Sequence, residues 1–89
     1  MNIDELRREI DGIDDCLLDL FQRRMATARE IAQYKKDNAL PIKDHERERK
    51  IICRLCEKAK PELAEYVKSL FVSLFEMSAN YQAAQNLPK

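Results

Sequence analysis

Apolar residues recur along this chain at intervals of three and four, the spacing of a helix face rather than of a strand. In the first third, Ile3, Leu6, Ile10, Ile13, Leu17 and Leu20 keep that interval, and Arg24, Thr27 and Ile31 continue the line. The pattern predicts one long helix over residues 3 to about 37. At 1.5 Å per residue such a helix is a rod of roughly 50 Å, far longer than a small globule needs. An apolar seam on a rod of that length calls for a partner, and a second copy of the same helix is the nearest one. Gly12 within it costs about 1 kcal/mol relative to Ala and suits close approach by another helix.

The segment Asn38-Ala39-Leu40-Pro41-Ile42-Lys43 interrupts the periodicity, because proline disfavours helical geometry at the residue before it. Asp44 is a suitable N-cap for a second helix over about 44–58, with Ile51, Ile52 and Leu55 facing inward. Pro61 suits the first turn of a third helix over about 62–85. Its main stripe is Leu63, Val67, Leu70, Leu74, Met77 and Tyr81, with Phe71 and Phe75 beside it. Residues from Asn86 onward are expected to fray. There is no internal repeat. The expected architecture is all-α: a single domain over residues 1–89 with a long, a short and a medium helix.

Composition agrees with this pattern. One Gly and three Pro in 89 residues leave little material for hairpins or glycine-rich phosphate loops. A domain this small buries only a little over ~60% of its unfolded surface, so a lone chain would be marginal and a dimer is expected. Sixteen basic and sixteen acidic residues cancel, which gives nucleic acid no electropositive field to follow. No stretch has the roughly 18 apolar residues of a membrane span, and the acidic N-terminus is unlike a signal peptide. A cytoplasmic, reducing location is the expectation. Cys53 and Cys56 have the CxxC spacing of redox and zinc motifs, but no second pair completes four ligands. With Cys16 they read as small apolar residues on helices.

Polar residues in apolar positions carry the chemical information. Arg24, Glu48, Ser78 and Gln82 lie on or beside the expected buried stripes, where charge is costly unless paired. Arg24 and Lys35 are eleven residues apart, close to three turns, and share a face. Arg7 lies seventeen residues before Arg24, about 25 Å along the rod, beyond reach of a ligand held between Arg24 and Lys35. From the second chain of a dimer it could complete a site. Asp44, Arg47 and Glu48 open the second helix, where acidic residues also serve simply to complement the helix dipole. Ser78 and Gln82 are one turn apart and also fit a solvated helix end. His45, the only histidine, reads as an exposed first-turn residue. No constellation supports metal binding or a nucleophile–base pair. The set suits a small polyanion, with Arg forks for carboxylates and a donor pair for a neutral oxygen.

In order, these residues resemble the all-helical chorismate mutases, small intertwined dimers of aromatic amino-acid biosynthesis. The resemblance runs from Leu6-Arg7, Ile10 and Ile13-Asp14 through Leu17-Leu18, Leu20 and Arg23-Arg24. It continues with Ile31, Lys35, Pro41-Ile42 and Asp44-His45-Glu46-Arg47-Glu48-Arg49, and closes with Glu76, Ser78 and Gln82. The resemblance implies an isomerase that converts chorismate to prephenate by a Claisen rearrangement without metal or cofactor. It further implies that Arg7 of the partner chain, Arg24 and Arg47 hold two carboxylates, with Ser78 assisting. Lys35 and Gln82 would flank the ether oxygen, while Glu48, helped by Asp44, would accept from the ring hydroxyl.

Two other functions stay open at this stage. Isochorismate pyruvate lyases share the fold but typically have an apolar residue at the position of Glu48. A non-catalytic helical dimer, kept as a regulatory or interaction module, is the second. The chain is expected to stand alone rather than as one part of a fusion. A noncovalent complex with another enzyme of the pathway is left open.

Overall fold

The computed structural model describes residues 2–85. The described residues form three α-helices, long, short and medium, as the periodicity predicts: α1 (Ile3–Asp37), α2 (His45–Lys58) and α3 (Ala64–Gln85). There is no strand among the described residues. The expected fraying from Asn86 onward falls outside them.

Each helix end has a local cause. At the start of α1 the Asn2 side chain accepts a hydrogen bond from the Glu5 backbone N–H at 2.9 Å, while Asp4 and Glu5 complement the dipole. The helix ends in a Schellman-type turn. The Leu40 N–H bonds the Lys35 carbonyl at 2.8 Å and the Ala39 N–H bonds the Lys36 carbonyl at 3.3 Å. That geometry requires a left-handed residue, and Ala39 supplies it at φ 54°. At α2 the Asp44 carboxylate caps the Arg47 N–H at 3.0 Å. The third helix is preceded by a 3-10 turn, Pro61–Leu63, where the periodicity predicted α-helix from about residue 62. The Leu63 N–H reaches the Lys60 carbonyl at 2.8 Å, the tighter pairing common at helix starts.

α3 packs against both α2 and α1, whereas α1 and α2 have little direct contact. Part of the stripe read on α3 is covered: Val67, Leu74 and Tyr81 are half-buried, as are Phe71, Phe75 and Gln82 beside it, and Ser78 is buried, while Leu63, Leu70 and Met77 remain exposed. Arg24 and Met25 of α1 meet the line of Phe71, Phe75 and Ser78. Arg24 lies 5.9 Å from the Phe71 ring centroid and 5.7 Å from that of Phe75, and Ser78 donates to the Met25 Sδ at 3.5 Å.

Every residue from 2 to 20 is exposed. Ile3, Leu6, Ile10, Ile13, Leu17 and Leu20, the seam read from the sequence, remain between 42% and 59% accessible. Covering what is left bare on each is worth on the order of 1 kcal/mol per side chain. Only Ala32 and Ser78 are buried within the chain among the described residues. A Cβ added at Gly12 meets nothing within 4 Å, so no intrachain neighbour explains that glycine.

Ala39→Gly is expected to stabilise the protein, since it relieves a left-handed conformation that costs a β-carbon-bearing residue about 1 kcal/mol. A thermal or urea unfolding curve checks this, and an unchanged or lowered midpoint contradicts it.

Candidate active site

The gap between α1 and α2, walled by α3, is a cavity of about 280 Å³. Its residues come from every segment that the helix order brings together. Arg24 and Lys35 enter from α1, Ile42, Lys43 and Asp44 from the connection, Arg47 and Glu48 from α2, and Ser78 and Gln82 from α3. Seven of the eight residues singled out from the sequence thus line one space. The eighth, Arg7, does not. It projects from the exposed N-terminal half of α1, about 25 Å along the helix from Arg24.

Arg24 is half-buried between α1 and α3, stacked on two aromatic rings and donating to the Ser78 hydroxyl at 3.4 Å. Stacking on aromatic faces fixes the guanidinium plane, and one donated bond leaves most of its five N–H groups free. Gln82 donates through Nε2 to the Ala28 carbonyl at 3.4 Å, a long bond that leaves the second amide hydrogen available. Lys35 donates from Nζ to the Ile42 carbonyl at 3.0 Å. That bond ties the connection back onto α1, while an ammonium has two further protons to give. Each donor is therefore oriented by a protein acceptor and still has capacity for a ligand.

The acids are arranged differently. Asp44 uses one carboxylate oxygen to cap α2, so the helix-cap role is present alongside its place in the cavity wall. Glu48 is about two-thirds covered, and its Oε1 lies 3.6 Å from His45 Nδ1. Its carboxylate accepts no hydrogen bond among the described residues, which leaves it free to accept one from a ligand. The ion pairs among those residues are Arg23–Asp19 and Lys50–Glu46, and His45 Nδ1 lies beside the Glu48 carboxylate. None involves Arg24, Lys35, Lys43 or Arg47. Four cations thus converge on one cavity without a carboxylate partner, in a chain whose charges balance overall.

The family of chorismate mutase type II matches residues 6–83. The chain belongs to the chorismate mutase type II family. A chorismate mutase of Methanocaldococcus jannaschii is 29% identical over 80 residues, which is 90% of this chain and 79% of that protein. No solved structure matches. The family match includes all eight residues from Arg7 to Gln82, and with them the whole polar lining of the cavity.

Periodicity did not single out Lys43 in this type II chain, because the residue lies in the connection, where no helical register marks a face. Thr27 lines the cavity as well and was read only as part of the apolar line. The stacking of Arg24 on Phe71 and Phe75 had a signal in the sequence. Both rings share a line with Ser78 and Gln82, but the rotation of α3 that turns this line toward α1 is a packing outcome. Among the described residues, no group of three or more His, Cys, Asp or Glu is placed to hold a metal ion. No helix there is long and apolar enough to cross a membrane.

Proposed function

We propose that the protein is a chorismate mutase, rearranging chorismate to prephenate in an active site shared between two chains. The observation that carries this reading is the convergence of unpaired cations with Gln82 and Glu48 in one cavity, within a family match from residue 6 to 83. A volume of about 280 Å³ suits a small molecule.

The reaction breaks one carbon–oxygen bond and forms one carbon–carbon bond within a single molecule. The enzyme has two tasks. It holds the enolpyruvyl arm over the ring, which removes conformational freedom before the barrier is climbed. It also stabilises the negative charge that develops on the ether oxygen as its bond to the ring opens. Arg24 and Arg47 grip the two carboxylates as guanidinium forks, with Ser78 assisting. Lys35 and Gln82 donate to the ether oxygen from either side. Glu48 accepts the ring hydroxyl's hydrogen bond, helped by Asp44, and so fixes the ring's face.

The second chain follows from what one chain leaves uncovered. The bare seam from Ile3 to Leu20 needs an apolar partner of its own length and pattern, and a second copy is one. Two such rods, crossed or antiparallel, bring Arg7 of one chain over the C-terminal half of the other, where it adds a further carboxylate contact. Within its own chain Arg7 has no route to the cavity. The three cysteines are unpaired, in keeping with a cytoplasmic setting.

Incubation with chorismate should yield prephenate, and isochorismate should release no pyruvate; the reverse pattern rejects this reading. Lys35→Ala, with its helix content verified by circular dichroism, is expected to lower kcat by about two to three decades. A loss confined to KM would remove Lys35 from the developing charge.

Equal mixing of Arg7→Ala and Lys35→Ala chains tests the shared site. Half of the dimers are then hybrids, and each hybrid has one intact site out of two. The mixture should regain about a quarter of wild-type activity per chain. No recovery despite demonstrated subunit exchange rules out the shared site.

Gln82 sets the pH behaviour. An amide donates at any ordinary pH, whereas a carboxyl must first be protonated, with a free Glu titrating near about 4.3. Gln82→Glu is therefore expected to be weak at neutral pH and to gain activity as the solution is acidified, while the wild type shows no such rise. A wild type that accelerates steeply below neutrality, beside a variant that does not, contradicts this role.

A further inference from the structure

Lys43 is a cavity-lining cation that the roles above do not use. The ordinary reading of a lysine in an exposed connection is a solvated surface charge, worth little in any single contact. Three observations set this one apart. First, the residue before it is fixed. The Ile42 carbonyl accepts from Lys35 Nζ at 3.0 Å, and Pro41 stiffens the approach. The Lys43 backbone is therefore tied to the same ammonium that faces the reacting oxygen in the proposed mechanism. Second, the adjacent Asp44 carboxylate is engaged as the α2 cap, accepting from the Arg47 N–H at 3.0 Å, rather than in an ion pair with Lys43. Third, no carboxylate lies within ion-pair distance of Lys43 among the described residues.

We propose that Lys43 is a further substrate-binding cation, carried on the tied connection at the rim of the cavity, which draws in the dicarboxylate and holds it at the entrance. This rests on the chorismate mutase reading of the same site. Within one chain the cavity holds Arg24, Lys35, Lys43 and Arg47 against Asp44 and Glu48, a net charge of +2. Lys43 supplies half of that excess. A cleft whose net charge opposes that of its ligand concentrates it and speeds capture, and the effect weakens as salt screens the field. Lys43 is exposed, so it acts on arrival and retention rather than on the buried ether oxygen. The tie to Lys35 adds a geometric link, because the Lys35 ammonium holds the Ile42 carbonyl next to Lys43.

The test compares wild type, Lys43→Ala, Lys43→Arg and a charge control, Lys68→Ala, at low and high salt. Steady-state turnover of chorismate and calorimetric binding of its dicarboxylate product, prephenate, are both measured. Lys43→Ala is expected to lose about three- to fivefold in kcat/KM and in affinity at roughly 20 mM salt, shrinking to under about twofold at roughly 500 mM. Its kcat should stay within about twofold of wild type, since the contact is made equally in ground and transition states. Lys43→Arg keeps the charge and should restore the wild-type salt dependence, while Lys68→Ala should leave it unaltered. A kcat loss with KM unchanged overturns the proposal, as does a salt dependence equal to wild type or an equal effect from Lys68→Ala. Wild-type binding without turnover rejects the mutase reading and leaves the Lys43 comparison to be decided by affinity. Neither binding nor turnover overturns both.

Discussion

α3 packs against α2 on one side and against the C-terminal half of α1 on the other, while α1 and α2 have little direct contact. This shared wall sets where every polar group of interest lies. Two helices that meet a common neighbour but not each other leave a gap, and the gap has no apolar cover of its own. The connection from Asn38 to Asp44 spans it, tied down by the hydrogen bond from Lys35 to the Ile42 carbonyl. That tie adds to the packing of α2 and α1 on α3 in placing Arg47 and Glu48 beside Arg24 and Lys35.

The gap tolerates charge because it is open on one side and lined by oriented dipoles. Arg24 keeps its charge over two aromatic rings and a hydroxyl rather than beside a carboxylate. An Asp or Glu in that place would bind the guanidinium and compete with an anionic ligand. The acids on the cavity wall are instead directed elsewhere, Asp44 to a helix N-terminus and Glu48 toward His45. The resulting excess of positive charge suits a dicarboxylate, and the family match gives that dicarboxylate its identity in the proposed reaction.

The same economy of helices leaves apolar surface of the chain uncovered. With extents of 54 × 31 × 15 Å, the fold is a plate with a protruding rod, and two short partners cannot cover a 35-residue helix. The bare seam on the N-terminal half of α1 and the exposed Leu63, Leu70 and Met77 on α3 are apolar surface without a neighbour. In the proposed shared site, pairing of chains and completion by Arg7 would both follow from this one excess of length.

Periodicity alone determined the helices, because a three-four spacing over this length has no other regular solution and each break carries its own signal in Pro41, Asp44 and Pro61. It also marked Arg24, Glu48, Ser78 and Gln82, since a polar residue in an apolar register is visible without coordinates. The sequence could not determine which face of α3 meets α1. Both lines on that helix are partly covered, and packing against Arg24 and Met25 turns the line of Phe71, Phe75 and Ser78 toward α1. It was silent on Lys43, because a connection has no period against which a residue can stand out. The left-handed turn at Ala39 was equally hidden, as nothing in an alanine announces a conformation that glycine would adopt more easily. Tertiary structure decided these points because each depends on contacts between segments far apart in the chain, and local spacing carries no information about which segment will arrive opposite.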